Sequence, residues 1–428
     1  MEKSAKKKKV KKEHWIKFRH KVVWTLLKPV FDTYCRVKYG THVKTFKDYD
    51  RECGNSGEHC VNKKPCIILY NHVTAFDQFF VALSCRTPVY YVATEDIFSM
   101  GFASKLIKYL VNPIPIKKYS TDIKALKTVL NVAKEGGIIS IAPEGNRTYS
   151  GRTCNMKDSI SPLCSKLKLP IVLLKIDGGY GVQPRWTDKL RKGRIDVSVS
   201  EVIYPDEFKN LSDSELFERI KTGLYLDEAR DTAVFKSKRK AEYLERAIYT
   251  CPKCGFSKFE SLGDITTCTG CGLKVKYNAD TTIEGVDNAF EFKYVADWYE
   301  YQEKNLNSTD TRKLTEQPIY EDTADIYKVI PYKKKENFAT GASIKLFGDR
   351  IELETEAAEG TGKGSRTISF AEVSGIACMG KNKLNIDVGG EIYQFKGDCH
   401  FNSLKYVNFC YRFKNLYKGE ENEQFLGL

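Results

Sequence analysis

The chain has 428 residues, enough for two or three domains, and its 42% hydrophobic and 12% aromatic residues are typical of a globular protein. Its net charge of +14 predicts an anionic partner: a membrane surface, a phosphorylated substrate or nucleic acid. We expect neither a membrane span nor a secretory signal, because no apolar run approaches about 18 residues and the start lacks a signal's apolar core.

The first predicted element, within residues 1–40, is a basic tail followed by an amphipathic helix. Lysine dominates residues 6–12, which we expect to be solvated. Behind this run, apolar residues recur at helical spacing among basic ones, a pattern that suits the headgroup layer of an anionic bilayer. The alternative is a helix packed on the protein's own core. The apolar stripe consists of Trp15, Ile16, Val22, Val23, Leu26, Leu27 and Val30.

Residues 41–210 alternate short apolar strands with helical stretches, which predicts an α/β sheet flanked by helices. The predicted strands are 66–70, 89–93, 138–142, 171–176 and 195–199. The predicted helices are 75–84, 103–111, 123–135 and 158–167.

The first of these strands leads into a histidine, His72, and an aspartate five residues later, Asp77. Positions five apart on one helix are separated by about 140°. The two side chains therefore meet only if His72 lies in the turn and Asp77 in the first helical turn, with Thr74 as N-cap. An imidazole held by a carboxylate at the end of a strand is a general base. The alternative is that Asp77 only caps a helix.

Three further stretches lie at the ends of predicted elements, where an open α/β sheet binds its ligands. The segment 112–118 ends in two cations, Lys117 and Lys118. In the loop after strand 138–142, Gly145 permits unusual backbone angles and we expect Glu144 and Arg147 to face each other across it. The segment 169–172 opens another strand. The alternatives are a surface ion pair for Glu144 and Arg147, and a solvated loop for the lysines.

Together, these four stretches resemble the four sequence blocks of the glycerolipid acyltransferases related to bacterial 1-acylglycerol-3-phosphate acyltransferase. NHVTAFD matches the N-H-x4-D block, APEGNRT resembles F-P-E-G-T-R-S, and LPIV resembles the proline-centred fourth block. NPIPIKK stands where the family usually has a glycine followed six residues later by arginine. The resemblance covers residues 64–203 and implies the acyltransferase-type sheet.

The resemblance also implies roles for individual residues. His72 corresponds to the base and Asp77 to the acid that orients it, while Glu144, Gly145 and Arg147 correspond to residues that position a glycerol phosphate acceptor. Lys118 replaces an arginine, so it offers a point charge in place of a bidentate fork.

The implied reaction moves a fatty acyl group from an acyl-CoA or acyl-carrier-protein thioester to an acceptor hydroxyl. The acceptor is a lysophospholipid or glycerol phosphate, and conversion of 1-acylglycerol-3-phosphate to phosphatidate is the favoured case. Because the acceptor hydroxyl itself attacks, the protein needs no serine or cysteine nucleophile.

A polar, helix-rich connector is predicted for residues 211–249, followed by a zinc ribbon at 250–280. Two C-x-x-C-G knuckles supply Cys251, Cys254, Cys268 and Cys271, and four thiolates close a structural zinc site. A redox or disulfide role is the alternative. The ribbon lacks the basic and aromatic cluster of a nucleic-acid interface. With fourteen cysteines in a long chain, this pairing favours a reducing cytoplasm with most other thiols free.

Residues 281–340 receive no assignment, and residues 341–428 predict a small β-rich module. Short strands are expected at 343–347, 350–355, 367–370, 375–379, 383–388 and 391–395, followed by a helix at 403–415. Strands closed by one helix resemble the PH-like domains. A packing or partner-binding module is the alternative.

Two functions follow from these patterns. The first is an acyltransferase bound peripherally to the inner, cytoplasmic face of a membrane. The second is a non-catalytic membrane-associated scaffold that keeps the acyltransferase fold and uses its tail, ribbon and β module for binding.

Overall fold

The structure is a computed structural model that describes residues 14–94, 97–98, 101–116, 122–230, 233–330, 335–355 and 364–418. The lysine run at 6–12 and the cations Lys117 and Lys118 therefore lie outside the described residues.

The first sheet has seven strands in the order β1-β7-β6-β2-β5-β3-β4. Neighbouring strands are parallel except for β6 and β7, which are antiparallel. The strands are β1 (Thr41–Val43), β2 (Ile67–Tyr70), β3 (Val89–Thr94), β4 (Ile114–Ile116), β5 (Ile138–Ile141), β6 (Ile171–Asp177) and β7 (Ile195–Ile203).

Helices cover both faces of this sheet. Because side chains alternate along a strand, Ile68 of β2 packs into one apolar core while Ile67 and Leu69 pack into the other. The helices are α1 (Phe18–Tyr39), α2 (Phe46–Glu52), α3 (Asp77–Ser84), α4 (Phe102–Leu110), α5 (Ile123–Lys134), α6 (Ile160–Leu167), α7 (Gly179–Val182), α8 (Pro205–Phe208) and α9 (Asp213–Leu224). The predicted α/β sheet flanked by helices is confirmed.

The long helix α1 divides its apolar residues between the core and solvent. Trp15 and Ile16, just before it, pack against one of the two cores, whereas Leu26 and Val30 are 67% and 62% exposed. The helical region is therefore packed on the protein's own core in part, and the prediction that its exposed apolar residues meet a membrane stays a prediction.

The connector is less helical than its charge pattern predicted. Within the described residues of 211–249, only α9 is an α-helix, and 225–249 contains two short 3-10 turns. The expectation of a helix-rich segment was wrong there because apolar residues such as Phe235 and Leu244 are buried and fix an irregular path.

Residues 250–308 form small strands around the two cysteine knuckles and one helix. A four-stranded sheet has the order β10-β11-β12-β13, and β8 pairs with β9. The elements are β8 (Thr250–Cys251), β9 (Gly255–Phe256), β10 (Phe259–Leu262), β11 (Ile265–Cys268), β12 (Lys274–Tyr277), β13 (Ile283–Gly285) and α10 (Val295–Ser308).

The last module is a seven-stranded antiparallel sheet followed by a helix, which confirms the predicted β-rich module with a C-terminal helix. The order is β17-β16-β15-β14-β20-β19-β18. Strand β14 and helix α10 lie in residues 281–340, which received no assignment from the sequence. The elements are β14 (Tyr320–Val329), β15 (Glu336–Leu346), β16 (Arg350–Thr355), β17 (Gly364–Ser369), β18 (Val373–Met379), β19 (Lys383–Val388), β20 (Glu391–Gly397) and α11 (Leu404–Lys418).

One apolar core joins the knuckle region, the β module and part of the first domain. Trp298 of α10 and Phe409 of α11 belong to it, as do Tyr149 and Trp186 from the first domain. Trp186 is fully buried in this core. The loops beyond the first sheet are therefore held by the C-terminal half of the chain.

Candidate active site

Polar residues converge where the central strands of the first sheet end. His72 follows β2, and Glu144 follows the neighbouring β5. Asn71 extends the pairing of β2 with β6, because its side chain donates to the Ile176 carbonyl at 2.9 Å and accepts from the Ile176 N–H at 2.8 Å. Carboxyl ends of parallel strands are the usual ligand-binding edge of such a sheet, so this edge is the candidate site.

The structure brings His72 and Asp77 together as the sequence predicted. Nδ1 of His72 lies 2.7 Å from Oδ2 of Asp77. The histidine side chain is 24% exposed, whereas the aspartate side chain is fully buried. Because the carboxylate accepts at Nδ1, the favoured neutral tautomer carries its proton there and leaves Nε2 as the basic atom.

The Asp77 carboxylate is held by more than the imidazole. It accepts hydrogen bonds from the N–H of Val73 at 2.7 Å and from the N–H and hydroxyl of Thr74 at 2.9 and 2.6 Å. Helix α3 begins at Asp77 with Phe76 as its N-cap, so the prediction of Thr74 as N-cap was wrong. Asp77 itself reaches back to the turn, and this local bonding fixes the orientation of the carboxylate.

Glu144 lies behind His72 and is 1% exposed. One carboxyl oxygen accepts from the N–H of His72 at 2.7 Å, and the other accepts from the N–H of Cys154 at 2.6 Å. Burial raises the pKa of Glu144 to about 8. Both oxygens bind backbone, so Glu144 joins the loop after β2 to the loop after β5.

Arg147 does not pair with Glu144, contrary to the expectation that the two face each other. Among the described residues no ion pair joins them, because Glu144 turns inward to backbone amides. Gly145 is exposed with φ near 68°, a conformation that favours glycine. Nη1 of Arg147 is buried and has no hydrogen-bond partner among the described residues. Burial and the nearby Arg185 guanidinium lower the pKa of Arg147 to about 10.

Arg185 is a further residue of this region that the sequence did not reveal. It is 3% exposed and donates from Nη1 to the carbonyl of Arg147 at 2.7 Å. It belongs to none of the recognised blocks and lies 38 residues beyond Arg147. Only the tertiary fold brings it here.

The crevice beside His72 is small. It is lined by residues that include His72, Glu144 and Thr148, and the space between the described residues has no room for a water molecule. Pockets that bury a drug-sized ligand occupy about 300–1,000 Å³. A ligand larger than this crevice would therefore reach His72 from the exposed side of the ring.

A separate cluster consists of the four knuckle cysteines. Their sulfurs all lie within 4.8 Å of one another, and the pairs Cys251–Cys271 and Cys254–Cys268 are each 3.6 Å apart. Tetrahedral zinc with Zn–S bonds of about 2.3 Å would hold its sulfurs about 3.8 Å apart. The positive φ of Gly255 and Gly272 forms the turns after each C-x-x-C pair. The arrangement fits a four-thiolate metal site.

Comparisons with known proteins agree with the four sequence blocks. A family model described as Acyltransferase matches residues 53–176. The chloroplastic 1-acyl-sn-glycerol-3-phosphate acyltransferase of Brassica napus is 23% identical over 155 residues, which are 35% of this chain and 44% of that protein. The chain thus spans less than half the length of this curated relative.

A solved structure is also similar. The crystal structure of the 1-acyl-sn-glycerophosphate acyltransferase PlsC from Thermotoga maritima aligns with a TM-score of 0.39 at 18% identity, over 48% of this chain and 78% of that one. The family model and the curated relative confirm the predicted resemblance to the acyltransferase family.

Proposed function

We propose that this protein transfers an acyl group from an acyl thioester to a hydroxyl of a glycerol-phosphate acceptor, with 1-acylglycerol-3-phosphate as the favoured acceptor. The observation that carries the proposal is the 2.7 Å contact between a partly exposed His72 and a buried Asp77 at the end of the central strand. The family match over residues 53–176 supports it.

In this proposal, Nε2 of His72 removes the proton of the acceptor hydroxyl as its oxygen attacks the thioester carbonyl. Asp77 stabilises the imidazolium that forms. The tetrahedral intermediate then expels the thiolate, and the imidazolium returns the proton to it. The products are an ester and a free thiol, and no covalent enzyme intermediate is needed.

The charge of the site suits an acceptor that carries a phosphate. Arg147 provides a guanidinium on the loop after β5; burial lowers its pKa, Arg185 lowers it further, and the Asp77 carboxylate opposes them. A guanidinium binds phosphate oxygens bidentately. Lys118, which replaces the family arginine, is proposed as a second contact on sequence grounds alone.

We also propose that the protein docks on the inner, cytoplasmic face of an anionic membrane through α1 and α4. The two helices are adjacent, and Nε of Arg19 in α1 donates to the Tyr109 carbonyl in α4 at 3.0 Å. Large apolar side chains on both helices face solvent, and lysines accompany them. These side chains are Phe18, Val22, Leu26 and Val30 on α1 and Phe102, Leu106 and Tyr109 on α4.

None of the described helices is long and apolar enough to cross a membrane. The docking that we propose is therefore through this surface, with the acyl chains of the acceptor remaining in the bilayer.

We propose that Cys251, Cys254, Cys268 and Cys271 bind one structural zinc ion. Cys251 and Cys268 are buried in the shared core and Cys271 packs against it, which supports a role in stabilising the C-terminal half. Four protein ligands leave no open position for a substrate.

A second candidate, a membrane-associated scaffold without catalysis, is favoured by one observation. Among the described residues, the crevice beside His72 has no room even for a water molecule, so no enclosed acceptor pocket is formed there. A scaffold would keep the His72–Asp77 contact as a helix cap and bind lipid without converting it.

Mass spectrometry of the products distinguishes the two candidates. The full chain is offered a mixture of lysolipids and glycerol 3-phosphate with an acyl-CoA, and separately with an acyl-carrier-protein thioester. We expect one new diacyl product, and none with His72→Ala. The exposed His42 provides a matched control, because His42→Ala should retain full activity. Folded protein that forms no ester with either donor would overturn the proposed function in favour of the scaffold.

A further inference from the structure

Basic side chains gather where the β module meets the loops beyond β5. Arg185 connects the two parts, because its Nη1 donates to the Arg147 carbonyl at 2.7 Å and its Nη2 donates to the Cys378 carbonyl of β18 at 3.2 Å. Lys381 lies in the turn between β18 and β19, and Arg246 is nearby. The C-terminal module thus places its own cation next to the candidate active site.

This cluster contains more positive than negative charge. Arg246 and Lys381 share a single carboxylate, Asp188, with N–O distances of 2.8 Å each. Among the described residues, neither Arg147 nor Arg185 forms an ion pair with a carboxylate, and Arg185 donates to main-chain carbonyls instead. Asp188 therefore pairs with two of the four cations, Arg246 and Lys381, and leaves the other two without such a partner.

The cations are close enough to affect one another. Burial lowers the pKa of Lys381, and the Arg246 and Arg147 guanidiniums lower it further, while Asp188 opposes them. Arg185 similarly lowers the pKa of Arg147, whose largest cause is burial. A bound anion would relieve this repulsion.

Within the part of the chain that the structure describes, two buried guanidinium nitrogens of this cluster lack hydrogen-bond partners. They are Nη1 of Arg147 and Nε of Arg185, and the Arg185 side chain is almost fully buried. Leaving a buried charged donor without a partner is destabilising. An anion with several oxygens would satisfy both nitrogens and the excess charge at once.

We propose that Arg147, Arg185 and Lys381 form one phosphate-binding site, to which the C-terminal β module contributes Lys381. The ligand chemistry is a phosphate monoester. Lysophosphatidate and coenzyme A both carry this group, so either the acceptor or the donor could supply it. The inference rests on the proposed function for the choice of these ligands, and it assigns the β module a part in substrate specificity.

The test uses Lys381→Ala, because Lys381 is partly exposed in a turn and Asp188 keeps Arg246 as its partner. Equilibrium binding to the full chain is measured for lysophosphatidate, for coenzyme A and for uncharged monoacylglycerol. We expect one phosphorylated ligand to bind about tenfold more weakly, because loss of one hydrogen bond to a charged group weakens binding by about this factor at least. Binding of monoacylglycerol should be unchanged. Lys381→Arg should restore most of the affinity. Lys396→Ala, an exposed lysine on the same sheet, is the matched control.

Each outcome decides the proposal. Selective weakening for lysophosphatidate supports the site and assigns it to the acceptor, and selective weakening for coenzyme A supports it and assigns it to the donor. Unchanged affinities, or equal losses for charged and uncharged ligands, overturn it. Because binding is measured without turnover, wild-type protein that binds lysophosphatidate but makes no phosphatidate would overturn the proposed function alone.

Discussion

Replacing Asp77 with asparagine tests the proposed base without changing the size of the side chain. The carboxylate accepts four hydrogen bonds, two at each oxygen, whereas an asparagine amide has one accepting oxygen. If that oxygen keeps His72 and Val73, the amide nitrogen faces Thr74. The Thr74 hydroxyl can rotate to accept, but the Thr74 N–H loses its partner.

These bonds set the expected magnitudes. One unpaired buried N–H should lower the free energy of unfolding by about 1–3 kcal/mol. Loss of the charge that stabilises the imidazolium should lower kcat by a factor on the order of 10²–10⁴. Thiol release from the acyl thioester measures kcat, and urea denaturation measures stability on the same preparation.

A matched control separates the two effects. Asp50 is 6% exposed, and its carboxylate accepts from the N–H of Val61 and Asn62 at 3.1 and 3.0 Å, away from His72. Asp50→Asn should show a similar loss of stability with unchanged kcat per folded molecule. The reasoning is refuted if Asp77→Asn keeps wild-type kcat, or loses activity only in proportion to unfolded protein.

Three further predictions concern pH, metal and membrane. Burial raises the pKa of Glu144 from 4.5 to about 8 on folding, so between these pH values the folded chain keeps a proton that the unfolded chain releases. The free energy of unfolding should therefore fall as the pH rises through this range. Urea titrations at several pH values should show the fall, and it should be smaller in Glu144→Gln. Elemental analysis should find close to one zinc per chain in reduced protein and far less after Cys268→Ser; metal-free wild type would exclude the site. The double variant Leu26→Glu and Phe102→Glu should float with anionic vesicles at least about 100-fold less than wild type. The control Leu262→Glu changes a similarly exposed leucine on β10 and should float like wild type. Equal flotation of all three proteins would rule out the α1–α4 surface.

The sequence predicted the first sheet well because its strands are short apolar runs separated by helices with clear periodicity. The edge strands β1 and β4 escaped prediction, since each has only three residues and no pattern of its own. The segment 225–249 was predicted as helical from its charges, yet its buried apolar residues determine its path. Tertiary packing overrides local preference in such segments.

In the candidate site, too, some contacts could be predicted from the sequence and others could not. The contact between His72 and Asp77 could be predicted because both belong to one short motif and only one local geometry joins them. The bonds of Glu144 to the backbone of His72 and Cys154 could not, because they depend on how two loops approach each other. Arg185 and Lys381 carry no motif and reach the site only through the packing of distant parts of the chain.

The core that contains Trp186 and Tyr149 affects how the chain can be divided into shorter fragments. These two rings belong to the first domain in sequence, but their apolar neighbours include residues of the knuckle region, α10 and the β module. A fragment ending near residue 249 would leave the Trp186 indole in water and remove the support of the loops beside His72. The shared core therefore predicts that the two halves unfold together, so that melting of either is accompanied by melting of the other.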